Sequence, residues 1–157
     1  IGSGLKNTLT LFERARIHVA AWGYGIARRA LEESIKYAQD RVQHGKQIAG
    51  HQLIADKIAT MATQIDAARL LALRAASMID AGQRCDVECA MAKWYGTEIA
   101  VEATRQAVQI HGGNGLTKEF IVERLAREAM ITPIPDGTTE IQKLLIARGL
   151  TGISAFR

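Results

Sequence analysis

The chain has 157 residues, 48% of them hydrophobic but only 5% aromatic, with two prolines. That length suits one domain with a buried core, and 25 alanines make the apolar content small and helix-favouring, which excludes an all-β sandwich or barrel. A net charge of +4 is spread among 16 acids and forms no nucleic-acid stripe, and no run of about eighteen uncharged apolar residues offers a membrane span.

The chain opens Ile1-Gly2-Ser3-Gly4, without Met, and residues 1–7 read as a linker or cut point. No basic start precedes an apolar core, so no secretory signal is expected. Ile17, Ala20, Tyr24, Ala27, Leu31, Ile35 and Ala38 recur at helical spacing and predict a first long helix from about Thr8 to Val42. The second stripe, Ile54, Ile58, Met61, Ile65, Ala68 and Ala72, predicts a helix from about His51 to Asp80, ended by Ala81-Gly82. Asp86 is the expected N-cap of a third helix. Its stripe is Val87, Met91, Trp94 or Tyr95, Ile99, Ala103, Ala107 and Ile110, and it stops at Gly112-Gly113-Asn114-Gly115.

A shorter helix is predicted from about Lys118 to Ala129. Pro133 and Pro135 then hold the chain extended, and Gly137 turns it. Thr138-Thr139-Glu140 can cap a last helix reaching about Arg148, with Ile141, Leu144, Leu145 and Ala147 as its apolar face. The fold expected is all-α: an antiparallel, up-and-down four-helix bundle with one extra short helix. The domain is assigned to residues 8–150 and the tail to 151–157. Cys85 and Cys89 lack metal-site spacing and read as buried free thiols in a reducing compartment. No metal site is expected.

Three glycine-bearing loops carry polar groups. In Arg41-Val42-Gln43-His44-Gly45-Lys46, a guanidinium at a helix end can meet a phosphate, or simply complement the helix dipole. Gln109-Ile110-His111-Gly112-Gly113-Asn114-Gly115 gives a ligand close access to backbone, or merely stops a helix. It ends a helix rather than following a strand, so it is no dinucleotide fingerprint. Asp136, on a Pro-Asp-Gly turn before a helix, is either a turn-former or a displayed acid.

Together, in this order, and with Arg16 on the first helix, these segments resemble the C-terminal helical domain of the acyl-CoA dehydrogenase family. The resemblance extends over Tyr37-Ala38 to Arg41, His44-Gly45-Lys46, Gln52, Asp136 to Gln142 and Ile146-Ala147-Arg148, and covers about Leu11 to Leu150. It implies FAD as cofactor and an acyl-CoA thioester as substrate. Asp136 would be the catalytic base that removes the α proton. Arg41, Gln43, His44, His51 and Gln52 would meet the diphosphate and adenosine of FAD, with Gln109, Gly112 and Gly113 lining the same nucleotide. Thr138 and Glu140 would sit beside FAD at the start of the last helix. Glu13, Arg16 and Gly137 would face the substrate.

The resemblance further implies FAD contacts across a subunit interface, in a homodimer or homotetramer. It also implies an acceptor such as an electron-transfer flavoprotein, and residence in the bacterial cytoplasm or mitochondrial matrix. Family members are more than twice this length, so the fragment alone is expected to be inactive.

Three departures stand out. Asp136 replaces the usual glutamate, drawing the carboxylate back by about 1.5 Å. An alternative glutamate on the first helix falls at Ala15, and Glu13 should point elsewhere on the helix surface. Pro135 and His44 replace aromatic residues. A nitroalkane-oxidase-like flavoenzyme, which also uses an aspartate here, and a non-catalytic helical assembly module are the alternatives.

Overall fold

A computed structural model of the chain describes residues 2–156. Helix α1 spans Gly4–Asp40, α2 Gln52–Asp80, α3 Asp86–His111, α4 Val122–Ala129 and α5 Thr139–Thr151. Between α1 and α2 lies a small hairpin of β1, Val42–Gln43, and β2, Lys46–Gln47, followed by a 3₁₀ turn at Ile48–Gly50. Consecutive long helices are antiparallel, so α1 and α3 lie side by side and run the same way, with Gly23 against Gly96 and Tyr37 against His111. Helix α3 is central and packs on α1, α2, α4 and α5.

Alanine makes this closeness possible. Ala20, Ala27, Ala30, Ala100, Ala103 and Ala107 are essentially without exposure along the α1–α3 seam. Small side chains bury little area each but bring helix axes together. The limit is reached at the crossing of Gly23 and Gly96. A Cβ on Gly23 would lie 2.5 Å from the Gly96 carbonyl oxygen. Larger apolar groups, including Met61, Ile65, Ile99 and Ile110, fill the space away from that crossing.

Several expected boundaries shift. Helix α1 begins at Gly4, inside the stretch read as a linker, and ends at Asp40 rather than Val42. The cause of the early end is the hairpin, where Val42 pairs with Gln47 and Gln43 with Lys46. Its two-residue loop, His44-Gly45, has φ of 51° and 78°, the doubly left-handed turn that matches strand twist. Asp86 is the first residue of α3 and not its cap; its carboxylate turns to Arg84, which donates from Nε at 2.8 Å. That bond holds the Asp86 carboxyl below its usual range.

Helix α4 begins at Val122, since residues from Thr117 are used in turns: Thr117 donates to Asn114 and Phe120 to Thr117. Two predicted apolar faces also need correction. Ile35 is exposed, and Ser34 takes the buried place, its hydroxyl donating to the Ala30 carbonyl at 2.7 Å. On α5, Ile141 and Ala147 are exposed while Gln142 is wholly buried. Cys85 and Cys89 are buried and free, with sulfurs 3.6 Å apart. Burial pushes the Cys89 thiol up to about 12, which makes it inert as a nucleophile.

Candidate functional site

The predicted residues gather at two places along α3. From Glu98 to Gly112 that helix advances roughly 20 Å, at about 1.5 Å per residue.

At its C-terminal end lies a cleft of about 410 Å³. Arg41, Gln43, His44 and His51 come from the hairpin side, and Gly112 and Gly113 from the end of α3. Its apolar wall is Ile48, Ile54 and Ile110. His51 is tied to the hairpin, its Nε2 3.2 Å from the Gln43 carbonyl oxygen, and its ring stands edge-on to His44. A Cβ placed on Gly112 or Gly113 would meet nothing within 4 Å, so bare backbone faces open space. An apolar wall opposite a guanidinium and accessible backbone suits a flat heteroaromatic group joined to phosphate. The residues present therefore fit the nucleotide part of a dinucleotide.

Tyr37 and His111 brace this cleft. Their rings stack at 4.2 Å between centroids, and Phe120 closes edge-on against both. His111 is buried, with Nδ1 2.8 Å from the Ala107 carbonyl oxygen. Burial holds its pKa below the ordinary histidine value, so it is neutral at pH 7 and donates from Nδ1. Asn114 donates to the Tyr37 hydroxyl at 3.0 Å.

Two predicted cofactor residues lie apart from this cleft. Gln109 faces a groove between α3 and α4 with Arg105, Leu116 and Met130. Gln52 faces the outer side of the hairpin with Lys46, Gly50 and Leu53.

The second place is the turn before α5. Asp136 is half-buried at φ 55°, a left-handed conformation that aspartate tolerates better than most side chains. The backbone thus offers a local reason for aspartate here. Gln142 is completely buried and donates from Nε2 to the carbonyls of Gly137, at 2.8 Å, and Asp136, at 3.1 Å. Gly137 is needed below that amide, since a Cβ there would lie 2.7 Å from Nε2. Thr139 donates a short hydrogen bond to Glu98 of α3. The Thr138 hydroxyl and the backbone amide of Glu140 hold the Glu140 carboxyl below its ordinary range.

Arg16 approaches from α1. Its Nε is buried and has no hydrogen-bond partner among the described residues. Glu13 lies near enough to Arg84 and Cys89 to act on them electrostatically.

Sequence reasoning missed Lys93, Glu98 and the buried role of Gln142. Lys93 has no exposure, and its Nζ donates to the Pro133 carbonyl at 2.5 Å. Burial pushes its ammonium down to about 8, against the pull of Glu98 and Asp136. A signal existed: Cys89, Lys93 and Thr97 repeat at intervals of four, which puts the lysine on a buried stripe. Among the described residues, no cluster of three or more His, Cys, Asp or Glu could hold a metal ion, and no helix is long and apolar enough to cross a membrane.

Fold and site together define an all-α domain with a nucleotide-sized cleft and, about 20 Å along the same helix, a carboxylate on a clamped turn. The profile of the acyl-CoA dehydrogenase C-terminal domain matches residues 2–151, and the chain belongs to that family. It is 43% identical over 147 residues to the caffeyl-CoA reductase–Etf complex subunit CarC of Acetobacterium woodii, covering 94% of this chain and 39% of CarC. Among solved structures, butyryl-CoA dehydrogenase of Megasphaera elsdenii superposes with a TM-score of 0.93 at 40% identity, over 95% of this chain and 39% of that one. A glutaryl-CoA dehydrogenase of Mycobacterium smegmatis in complex with FADH2 gives 0.93 at 30% identity, over 98% and 40%. The chain thus spans about two fifths of the length of these relatives.

Proposed function

We propose that this chain is the C-terminal part of an FAD-dependent acyl-CoA dehydrogenase in which Asp136 removes the α proton of the thioester. The observation that carries this reading is Asp136 itself: a carboxylate on a left-handed turn whose carbonyls are held by buried Gln142. A turn that served only to reverse the chain would need no such clamp. The thioester carbonyl acidifies the α C–H, and a fixed carboxylate within reach lowers the barrier to its removal. FAD, when bound, accepts the β hydride.

In this reading Arg41 and Gln43 hold the diphosphate, and His44, His51, Gly112 and Gly113 frame the adenosine portion. Arg16, with its unpartnered buried Nε, is directed to the CoA-bearing substrate together with Gly137, and Thr138 and Glu140 border the flavin side. Glu13 is given a supporting position on the same face of α1, one turn before Arg16. Gln109 and Gln52 point away from the cleft, so their part in nucleotide binding requires a second subunit; the working form is a homodimer or homotetramer. The acceptor proposed is an electron-transfer flavoprotein, in keeping with the Etf complex to which CarC, by its name, belongs. The domain proposed for residues 8–150 extends a little past those bounds, since α1 begins at Gly4 and α5 ends at Thr151.

The test uses the full-length protein. Asp136→Asn should leave FAD bound and slow flavin bleaching by acyl-CoA by about a hundredfold to ten-thousandfold, the usual worth of a general base. Normal bleaching would remove Asp136 from the mechanism. Hydrogen peroxide formed with a nitroalkane, in place of turnover with acyl-CoA, would favour the oxidase-like alternative.

A further inference from the structure

A fully buried lysine is rare unless its charge is met, because the ammonium loses its hydration. Lys93 is such a residue, in the middle of α3, and its Nζ donates to Pro133, forty positions along the chain. Four charged groups act on it from the surrounding elements: Glu98 of α3, Asp136 of the turn and Glu140 of α5 attract, while Arg16 of α1 repels. An apolar side chain of equal length would fill the same space without the desolvation cost, and such replacements in protein interiors are often neutral or stabilising. The fold alone therefore gives little reason for the charge.

The turn gives a better one. Pro133 and Pro135 restrict the backbone leading to Asp136, and the chain then enters the left-handed region at φ 55° and 97° for Asp136 and Gly137. Downstream, Gln142 holds the carbonyls of Asp136 and Gly137. Upstream, Lys93 holds the carbonyl of Pro133. With both anchors the segment is fixed at each end by a buried side chain from a different helix. With one it can pivot about the other.

We propose that Lys93 is a positioning residue for the candidate base: its buried ammonium anchors Pro133 and fixes the direction in which the Asp136 carboxylate is displayed. The inference rests on the reading of Asp136 as the base, and deepens it. Lys93 is also close enough to Asp136 for the two charges to attract.

The experiment is Lys93→Met in the full-length, FAD-loaded protein, with Asp136→Asn assayed beside it. Met matches the lysine stem and removes both charge and donor. FAD content and KM for acyl-CoA should stay within about twofold of wild type, since a charge-free stem keeps the packing. kcat should fall roughly a hundredfold, the effect of a displacement of about 1 Å at the reacting group.

Lys93→Gln, which keeps a donor without the charge, should recover part of kcat, as a merely space-filling lysine would not require. If the methionine variant does not fold, the glutamine variant supplies kcat and KM in its place, with kcat expected between wild type and a loss of about a hundredfold. Wild-type kcat in a folded variant would overturn the proposal, as would a loss of kcat that merely follows loss of FAD. Failure of both variants to fold would make Lys93 a folding residue and overturn it too. Normal bleaching by Asp136→Asn would instead refute the base, whatever Lys93 does.

Discussion

The two ends of α3 hold ligand-facing groups in opposite ways. At the cleft, Arg41 at the end of α1 and Gln43 and His44 on the hairpin are exposed side chains, and Gly112 and Gly113 offer backbone without side chains. At the Asp136 turn, orientation comes from below, through Lys93 and Gln142, neither of which has any exposure. An exposed, lightly restrained frame suits a ligand part that is only gripped. A turn anchored by buried polar atoms suits a group that must meet a particular C–H bond. At the Asp136 turn, then, placement rests on buried polar side chains that reach in from two other helices.

That contrast can be broken at the cleft first. Arg41→Ala in the full-length protein should weaken FAD binding roughly tenfold to a hundredfold, the loss of one charged hydrogen-bonding group. Turnover at saturating FAD should be nearly unchanged, and flavin titration with parallel steady-state rates would check both. An equal loss of kcat would mean the two ends are not separable.

Next in size is Gly23→Ala, which strikes the α1–α3 crossing between them. The added methyl meets Gly96 backbone, and overpacking of this kind costs about 1–3 kcal/mol. Denaturation in urea should show a lower midpoint, with both FAD affinity and kcat affected.

A smaller effect should come from acid. Burial lowers the His111 pKa from 6.5, so the unfolded chain binds a proton that the folded chain resists. The stability tied to neutral His111 is complete above the unfolded value and declines as pH falls below about 6.5. Thermal unfolding should therefore soften between pH 7 and pH 5, and His111→Phe should flatten that slope. Smallest is Arg124→Ala, which removes an exposed i,i+4 pair with Glu128 and should change stability by less than about 0.5 kcal/mol.

The cleft end was legible in the sequence because its signals are local. Arg41 and Gly112-Gly113 stand at helix ends and His44-Gly45 in a tight hairpin loop, where residue type and turn geometry are coupled over a few positions. The helices were legible from periodicity, but not their ends: the hairpin claimed Val42, and the turns around Thr117 delayed α4 to Val122. The Asp136 turn was half legible. Asp136 and Gly137 announce a turn, whereas the contacts that aim it join Lys93 to Pro133 and Glu98 to Thr139 across long stretches of chain. Those depend on how α3 and α5 pack. Ser34 and Gln142 illustrate the same limit, since each is a polar residue that wins a buried place by bonding to a nearby backbone carbonyl.

The backbone contact of Gly23 with Gly96 has a consequence for how this domain can change over generations. Side chains at a seam can exchange volume with one another, but two main chains in direct contact have nothing to trade. One inserted residue in α3 beyond that contact would turn everything downstream by about 100° and advance it by about 1.5 Å. Gly112 and the Tyr37–His111 stack would then leave the hairpin's side of the molecule. Between its crossing and its glycine stop, α3 can be respelled freely in its exposed letters, but it cannot be made longer or shorter.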